Sequence, residues 1–465
     1  MSKSFIGVIG LGVMGSSLSL NIAEKGFPLS VFNRAIPGEA YILKNFMMNL
    51  DEGMQVEGFS DFKNFIDSLE RPRKILIMIK AGEAIDYVIE ELLPLLSEND
   101  ILIDGGNSHY LDTNRRTTYL NKKGISFVGC GVSGGEEGAR KGPSIMPGCS
   151  KKAYANIAPI LEAIAAKDTR GKSCCTHISE AGSGHFVKMV HNGIEYAEMQ
   201  LLAEAYTLLK VTKTNAAIAK IFKAWHKTDL SSYLLEITIA ILQKEKDGIY
   251  VLDTILDKAG NKGTGSWSTK ASFDLGTVNT MMSSAVFARY ISAFKSKRHE
   301  LSISVAPNVN QAEAIDISVL EKAYRFARLI NHHQGFELMQ QASKAYHWDL
   351  NLSEIARIWT NGCIIRSEFM EKSITVFKKY ESYLEDENSL NLLKSAEAAI
   401  KQSISDSLSS RIAFDTFWSA YNYWVSMTTK NLPANLIQAQ RDYFGAHTYQ
   451  KINAPENQFF HTKWY

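Results

Sequence analysis

Phe5-Ile6-Gly7-Val8-Ile9 runs directly into Gly10-Leu11-Gly12-Val13-Met14-Gly15, and an amphipathic stretch through Leu18, Leu20 and Ile22 follows. An apolar strand, a Gly-x-Gly-x-x-Gly turn and a helix, in that order, restrict the fold more than any other feature of the chain. The glycines permit a tight turn, and backbone N–H groups at the helix N-terminus can reach a pyrophosphate. The pattern predicts a dinucleotide loop made of Gly10, Leu11, Gly12, Val13, Met14 and Gly15; a tight turn without a ligand is the alternative.

The same texture continues through residues 1–178. Leu29-Ser30-Val31-Phe32, Ile75-Leu76-Ile77-Met78-Ile79, Ile101-Leu102-Ile103 and Ile125-Ser126-Phe127-Val128 are short apolar runs separated by helical stretches. Such alternation predicts an α/β, Rossmann-like, doubly wound parallel sheet with helices on both faces. Ligands bind such sheets beyond the carboxyl ends of the strands, where the chain order reverses. Residues 179–431 read differently, as long amphipathic segments over 186–210, 230–246 and 317–332, which predicts a large all-α domain. In residues 432–465 the pattern breaks, and aromatic residues crowd Arg441-Asp442-Tyr443-Phe444-Gly445-Ala446-His447. A C-terminal tail of that composition is expected to pack against another surface.

Bulk properties narrow the classes. A length of 465 residues suits two or three domains. A net charge of +2 is too balanced for a dedicated nucleic-acid or membrane-surface binder but suits a small anionic ligand. Cys130, Cys149, Cys174, Cys175 and Cys363 show neither zinc-type spacing nor a disulfide framework, so reduced thiols and no metal centre are expected, with a metal or redox role for Cys174-Cys175 as the alternative. The start of the chain lacks a cleavable-signal pattern, and no apolar run reaches the ~18 residues of a membrane helix. A cytoplasmic protein is expected.

Which dinucleotide is bound turns on the end of the second strand. NAD sites carry an acid there for the ribose 2′-hydroxyl, whereas this chain has Asn33-Arg34. An acid would repel a 2′-phosphate and a guanidinium can bind it with two hydrogen bonds, so NADP is expected. A solvated surface arginine is the alternative. Lys80-Ala81-Gly82 and the loop Asp104-Gly105-Gly106-Asn107-Ser108 follow predicted strands and are expected on the same edge, with Lys80, Ala81 and Asn107 facing the cofactor.

Chemistry points to residues 182–197. On one helix, Lys188, His191, Asn192 and Glu195 stand at i, i+3, i+4 and i+7 and form one polar stripe, with Phe186, Met189, Val190 and Ile194 on the other faces. Lysine and glutamate two turns apart are about 10 Å apart along the axis, close enough to touch opposite sides of one small substrate. A solvated face with an ordinary Lys–Glu pairing is the alternative.

Residues 10–15, Asn33-Arg34, 103–108, 132–139, 184–196, Lys262-Gly263-Thr264-Gly265, Ala285-Val286-Phe287-Ala288-Arg289 and 441–447 resemble the decarboxylating 6-phosphogluconate dehydrogenases, in that family's order, through essentially the whole chain. The resemblance implies oxidation of 6-phosphogluconate by NADP, loss of CO2 and formation of ribulose 5-phosphate, as in the pentose phosphate pathway. It implies Lys188 as general base and later acid, and Glu195 as the acid that protonates C1 of the enediol. It also implies substrate contacts from Asn107, Ser133, Gly134, Gly135, His191, Asn192 and Tyr196, and phosphate contacts from Lys262, Thr264 and Arg289. Arg441 and His447 match groups supplied by the tail of a partner subunit, implying a homodimer. A shorter relative of the 3-hydroxyisobutyrate dehydrogenase type would share the glycine loop and the lysine but would not need the helical extension, residues 262–265 or the tail. Three positions depart from the family pattern. Ala35 stands where threonine is common, removing a hydroxyl from the 2′-phosphate side; Thr360-Asn361 replace Arg-Gly, which bears on local helix packing; and Cys149 replaces a glycine.

Overall fold

The computed structural model describes residues 3–260, 263–305 and 315–465. Seven strands form one sheet: β1 Ile6–Ile9, β2 Leu29–Phe32, β3 Val56–Phe59, β4 Lys74–Ile77, β5 Ile101–Asp104, β6 Ser126–Ser133 and β7 Ser144–Gly148. Their order is β3-β2-β1-β4-β5-β6-β7. The first six are parallel and β7 pairs antiparallel with β6. This is the expected doubly wound fold, and its order reverses between β1 and β4.

The structure corrects details of the strands. The run predicted to end at Ile79 leaves the sheet at Ile77, so the loop carrying Lys80 starts at Met78. β3 was not expected, because Val56-Glu57-Gly58-Phe59 is a partly exposed edge strand without a continuous apolar run. β7 adds an antiparallel member to a sheet predicted to be parallel. Its Ser-Ile-Met-Pro-Gly sequence is wholly buried, yet it reads as a loop because proline and glycine end it.

Helices α1 Val13–Glu24, α2 Ala40–Met48, α3 Phe62–Asp67, α4 Glu83–Leu92, α5 Tyr110–Asn121, α6 Gly135–Lys141 and α7 Lys151–Ile164 connect the strands. Two apolar clusters, one around Val8, Leu18 and Val31 and one around Phe65, Ile77 and Ile89, belong to this region. The helical region then begins with α8 Ser183–Lys210, α9 Asn215–Trp225, α10 Tyr233–Gln243, α11 Thr264–Leu275, α12 Thr280–Ala293 and α13 Lys295–Val305. It continues with α14 Ile317–Ala345, α15 Leu352–Ile358, α16 Glu368–Val376, α17 Glu387–Ser409 and α18 Asp415–Thr428. The helix expected over 230–246 is shorter, because residues 245–246 turn into a two-stranded hairpin with 249–250. The helix expected over 317–332 runs on to Ala345. α14 lies between α8 and α17, so the longest helices pack on one another. Their core also takes in Tyr110, Met146 and Cys174 from the sheet region. Among the described residues, no helix is long and apolar enough to cross a membrane.

The tail contains one more helix, α19 Ala434–Gly445, and then folds back on it. Asp442 is fully buried and accepts hydrogen bonds from the Thr448 and Thr462 backbone N–H groups and from Trp464 Nε1, with His461 Nδ1 at 2.9 Å. Tyr449 and Phe460 exchange backbone hydrogen bonds. Leu436, Ile437, Phe444, Ile452 and Phe459 nevertheless remain exposed.

Candidate active site

Glycines bring α8 directly onto the sheet. A Cβ on Gly184 would lie 2.1 Å from the Met146 carbonyl oxygen and 2.2 Å from that of Gly129. A Cβ on Gly131 would lie 2.5 Å from Lys188 Cβ. The Gly-x-Gly at the start of α8 is thus a close-packing device, and it seats Lys188 over the end of β6. The Gly182 N–H is satisfied by Asn114 Oδ1 at 2.9 Å. His185 joins Thr113 on α5, through Nδ1 at 2.7 Å, to the Asp104 carbonyl oxygen on β5, through Nε2 at 3.1 Å.

The polar stripe of α8 lies inside the protein. Lys188, His191 and Asn192 are all buried, and Phe186, Met189, Val190 and Ile194 are buried on the other faces. The solvated-face alternative is therefore removed. Lys188 Nζ donates to Asn192 Oδ1 at 2.8 Å and lies 3.2 Å from His191 Nδ1. His191 Nε2 faces Ser133 Oγ at 2.9 Å and Cys363 Sγ at 2.9 Å. Its ring also packs edge-on against Trp359. Glu195, one turn further on, has Oε2 3.7 Å from His191 Nδ1 and is partly open to solvent.

Burial sets the electrostatics. Desolvation lowers the Lys188 pKa, against an opposing pull from Glu195 and Cys363. Desolvation pushes the Glu195 carboxyl up, against Lys188 and Arg289. His191 is driven well below its ordinary value by burial and then by Lys188, so it is neutral at pH 7 and makes no ion pair with Glu195. A lysine biased toward the neutral amine and a carboxyl biased toward the acid are a matched base and acid.

Ser133 ends β6, and Gly134 (φ +110°) and Gly135 (φ +64°) turn the chain into α6 in a conformation that side chains resist. Ser133 Oγ also accepts from Ile364 N–H at 3.4 Å, which ties this loop to the segment after α15. Asn361, one of the departures, closes that segment by bonding the Lys167 carbonyl oxygen and the Gly362 N–H. On the open side, the Arg289 guanidinium stacks 3.6 Å over the Tyr196 ring, and Nη1 donates to the Gly260 carbonyl oxygen at 3.0 Å. Gly265 lets α11 approach, since a Cβ there would meet the Tyr196 ring at 2.4 Å. Lys262 lies outside the described residues; Thr264 is the first residue of α11.

At the cofactor edge, Gly10 takes φ +95°, and a Cβ on Gly15 would lie 1.9 Å from the Gly10 carbonyl oxygen. A Cβ on Gly12 would meet nothing, so the open side of the turn is free for a pyrophosphate. Val13 and Met14 continue into α1, with Val13 exposed. Leu11 N–H donates to Asn33 Oδ1 at 3.1 Å, so Asn33 braces the loop from the end of β2. Arg34 is exposed and paired with Glu39. Lys80 and Ala81 follow β4, and exposed Asn107 follows β5, both at carboxyl ends beside the switch point. Buried Arg116 clamps the two loops: it bonds the Gly82 carbonyl oxygen and Asp86 at 2.8 Å, and Nη1 lies 3.7 Å from Asp104.

The structure thus brings Lys188, His191, Asn192, Glu195 and Ser133 together, with Tyr196 and Arg289 beside them. Arg441 and His447 find their partners within the tail, in Gln438 and Phe444 respectively. Cys363 and Trp359 were missed. The sequence signal was Cys363 inside Gly362-Cys363-Ile364-Ile365-Arg366, read only as an ordinary thiol. Glu39 and Arg116 carried no local signal, because their partners are set by loop closure and by the sheet.

A family model described as the C-terminal domain of 6-phosphogluconate dehydrogenase matches residues 184–464. One described as the NAD binding domain of 6-phosphogluconate dehydrogenase matches residues 5–179. The chain belongs to the 6-phosphogluconate dehydrogenase family. A Bacillus subtilis member, the NADP(+)-dependent, decarboxylating 6-phosphogluconate dehydrogenase, is 46% identical over 100% of both chains. The decarboxylating 6-phosphogluconate dehydrogenase of Escherichia coli K12 is 44% identical, again over 100% of both. The solved Plasmodium falciparum 6-phosphogluconate dehydrogenase, studied in its apo form, with its cofactor NADP+ and with its substrate 6-phosphogluconate, superposes with a TM-score of 0.93 at 38% identity, covering 99% of this chain and 100% of that one.

Proposed function

We infer that this chain is an NADP-dependent oxidoreductase that converts 6-phosphogluconate to ribulose 5-phosphate and CO2. The observation that carries the chemistry is the buried Lys188, held by Asn192 and His191 beside Glu195 and next to the cofactor edge of the sheet. The open glycine turn fits a pyrophosphate and Arg34 fits a 2′-phosphate; NADP supplies the hydride acceptor. Neutral Lys188 removes the proton from the C3 hydroxyl as C3 is oxidised. The resulting 3-keto acid loses CO2 because the electrons of the breaking C1–C2 bond flow into the adjacent ketone, where protonated Lys188 donates. Glu195, biased toward its acid form by burial, then delivers a proton to the carbon that becomes C1 of the pentose.

In this reading Asn107, Ser133, Gly134, Gly135, His191, Asn192 and Tyr196 hold the sugar acid. Lys262, Thr264 and Arg289 hold its phosphate, and Lys80 and Ala81 border the cofactor. Residues 1–178 form the cofactor domain, 179–431 the substrate and dimerisation domain, and 432–465 an arm that reaches a second copy. The exposed apolar residues of that arm support a homodimer. Five free, buried cysteines suit a reducing, cytoplasmic setting. The test is absorbance at 340 nm with NADP and 6-phosphogluconate: a rise that Lys188→Ala abolishes supports the reading, and no rise from folded protein removes it.

A further inference from the structure

Arg34, the residue read as the 2′-phosphate anchor, already holds an anion of its own. Its Nε donates to Glu39 Oε2 at 2.9 Å and its Nη2 to Glu39 Oε1 at 2.7 Å. That edge of the guanidinium is also the one that grips a phosphate with two parallel hydrogen bonds. Glu39 reaches it because residues 35–38 fold tightly: Gly38 takes φ +86°, and the Glu39 and Ala40 N–H groups both donate to the Ile36 carbonyl oxygen. The carboxylate is thereby carried to the end of β2, where the residues directly following the strand, Asn33-Arg34, offer no acid.

We propose that Glu39 is a specificity-determining residue that narrows the preference for NADP over NAD by competing with the 2′-phosphate for Arg34. A dinucleotide phosphorylated at the 2′ position must displace Glu39 from that edge or share Arg34 with a second negative group. A ribose with a free 2′-hydroxyl leaves the pair intact and meets a carboxylate able to accept its hydrogen bond, as NAD sites require. Ala35 sharpens the effect, since no hydroxyl there compensates the phosphate. The pair is exposed, with side-chain accessibilities of 64% and 33%, so it is displaceable and the effect is graded.

The inference rests on the reading of Arg34 as the 2′-phosphate anchor, so the test separates the two. Dissociation constants for NADP, NAD, 2′-AMP and 5′-AMP are measured on the full chain for the parent, Glu39→Gln, Arg34→Gln and the double variant. Glu39→Gln is expected to tighten NADP and 2′-AMP on the order of two- to fivefold, with NAD and 5′-AMP unchanged or weaker. In the Arg34→Gln background the same substitution is expected to lose most of that gain. Unchanged or weaker NADP binding by folded Glu39→Gln, with Arg34→Gln still losing NADP, overturns the role of Glu39 and leaves Arg34 as the anchor. If Arg34→Gln leaves the NADP/NAD ratio untouched, the anchor reading fails and this proposal falls with it.

Discussion

At the scale of single residues, the decisive feature is a lysine placed where its charged form is disfavoured. On the proposed role of Lys188 as general base, Lys188→Ala is expected to lower kcat by about 10²- to 10⁴-fold, read at 340 nm. The acidic limb of the kcat/KM profile should reflect Lys188. Activity rises as pH climbs through its folded-state value, which burial holds below the ~10.4 of a free lysine. A limb at the free-lysine value would remove Lys188 from the role of base. The same burial has a cost in stability. The folded chain binds this proton less tightly than the unfolded chain does, so between the lowered folded value and ~10.4 the unfolded state carries more protons and stability rises with pH. Lys188→Met is accordingly expected to be inactive yet to raise Tm by about 2 °C near pH 7.5, a gain that fades toward pH 10. A Tm gain independent of pH would assign the effect to packing alone.

At the scale of elements, the site is a helix pressed onto two strands through glycines. Gly131→Ala would push its Cβ into Lys188 Cβ and shift α8 while leaving the chemical identity of every site side chain unchanged. A loss of about 10²-fold in kcat is expected from such a displacement, with a destabilisation of about 1–3 kcal/mol. Kinetics beside thermal unfolding checks this, and unchanged kcat would show that the helix has slack. These contacts also explain what could be read beforehand. The stripe Lys188, His191, Asn192 and Glu195 was visible because helical periodicity is local, and the glycine turn because its glycine spacing lies within six residues, although Gly10 is also crowded by Met78 and Ile79. The burial of that stripe was not visible, since it depends on Gly129, Gly131 and Gly184 meeting across long sequence separations. Nor were β3, an edge strand without an apolar run, or β7, whose proline and glycine mask it. Cys363 came to His191 through the fold, with no spacing rule to announce it.

At the scale of the whole molecule, the proposal that the tail serves the site of a second copy is open to direct test. Asp442 is its keystone. Burial alone would raise its carboxyl, but hydrogen bonds from His461, Thr462 and Trp464 hold it at about 2. The folded tail therefore keeps this contribution above the ordinary carboxylate range and loses it only as pH falls toward that value. A self-folded arm with Leu436, Ile437 and Phe444 turned outward has the form of a docking element. If it docks on a second copy, Lys188 of one subunit works with Arg441 of the other. Mixing two dead variants tests this. In a hybrid of Lys188→Ala with Arg441→Ala, one site carries both lesions and the other carries neither. Random reassortment makes half the dimers hybrids with one intact site each, so activity should return to about a quarter of the parent level. If Arg441 serves the site of its own chain, every site in the mixture carries one lesion and activity stays at the level of the separate variants. Recovery therefore requires a site shared between subunits, and its absence from verified hybrid dimers would confine each site to one chain.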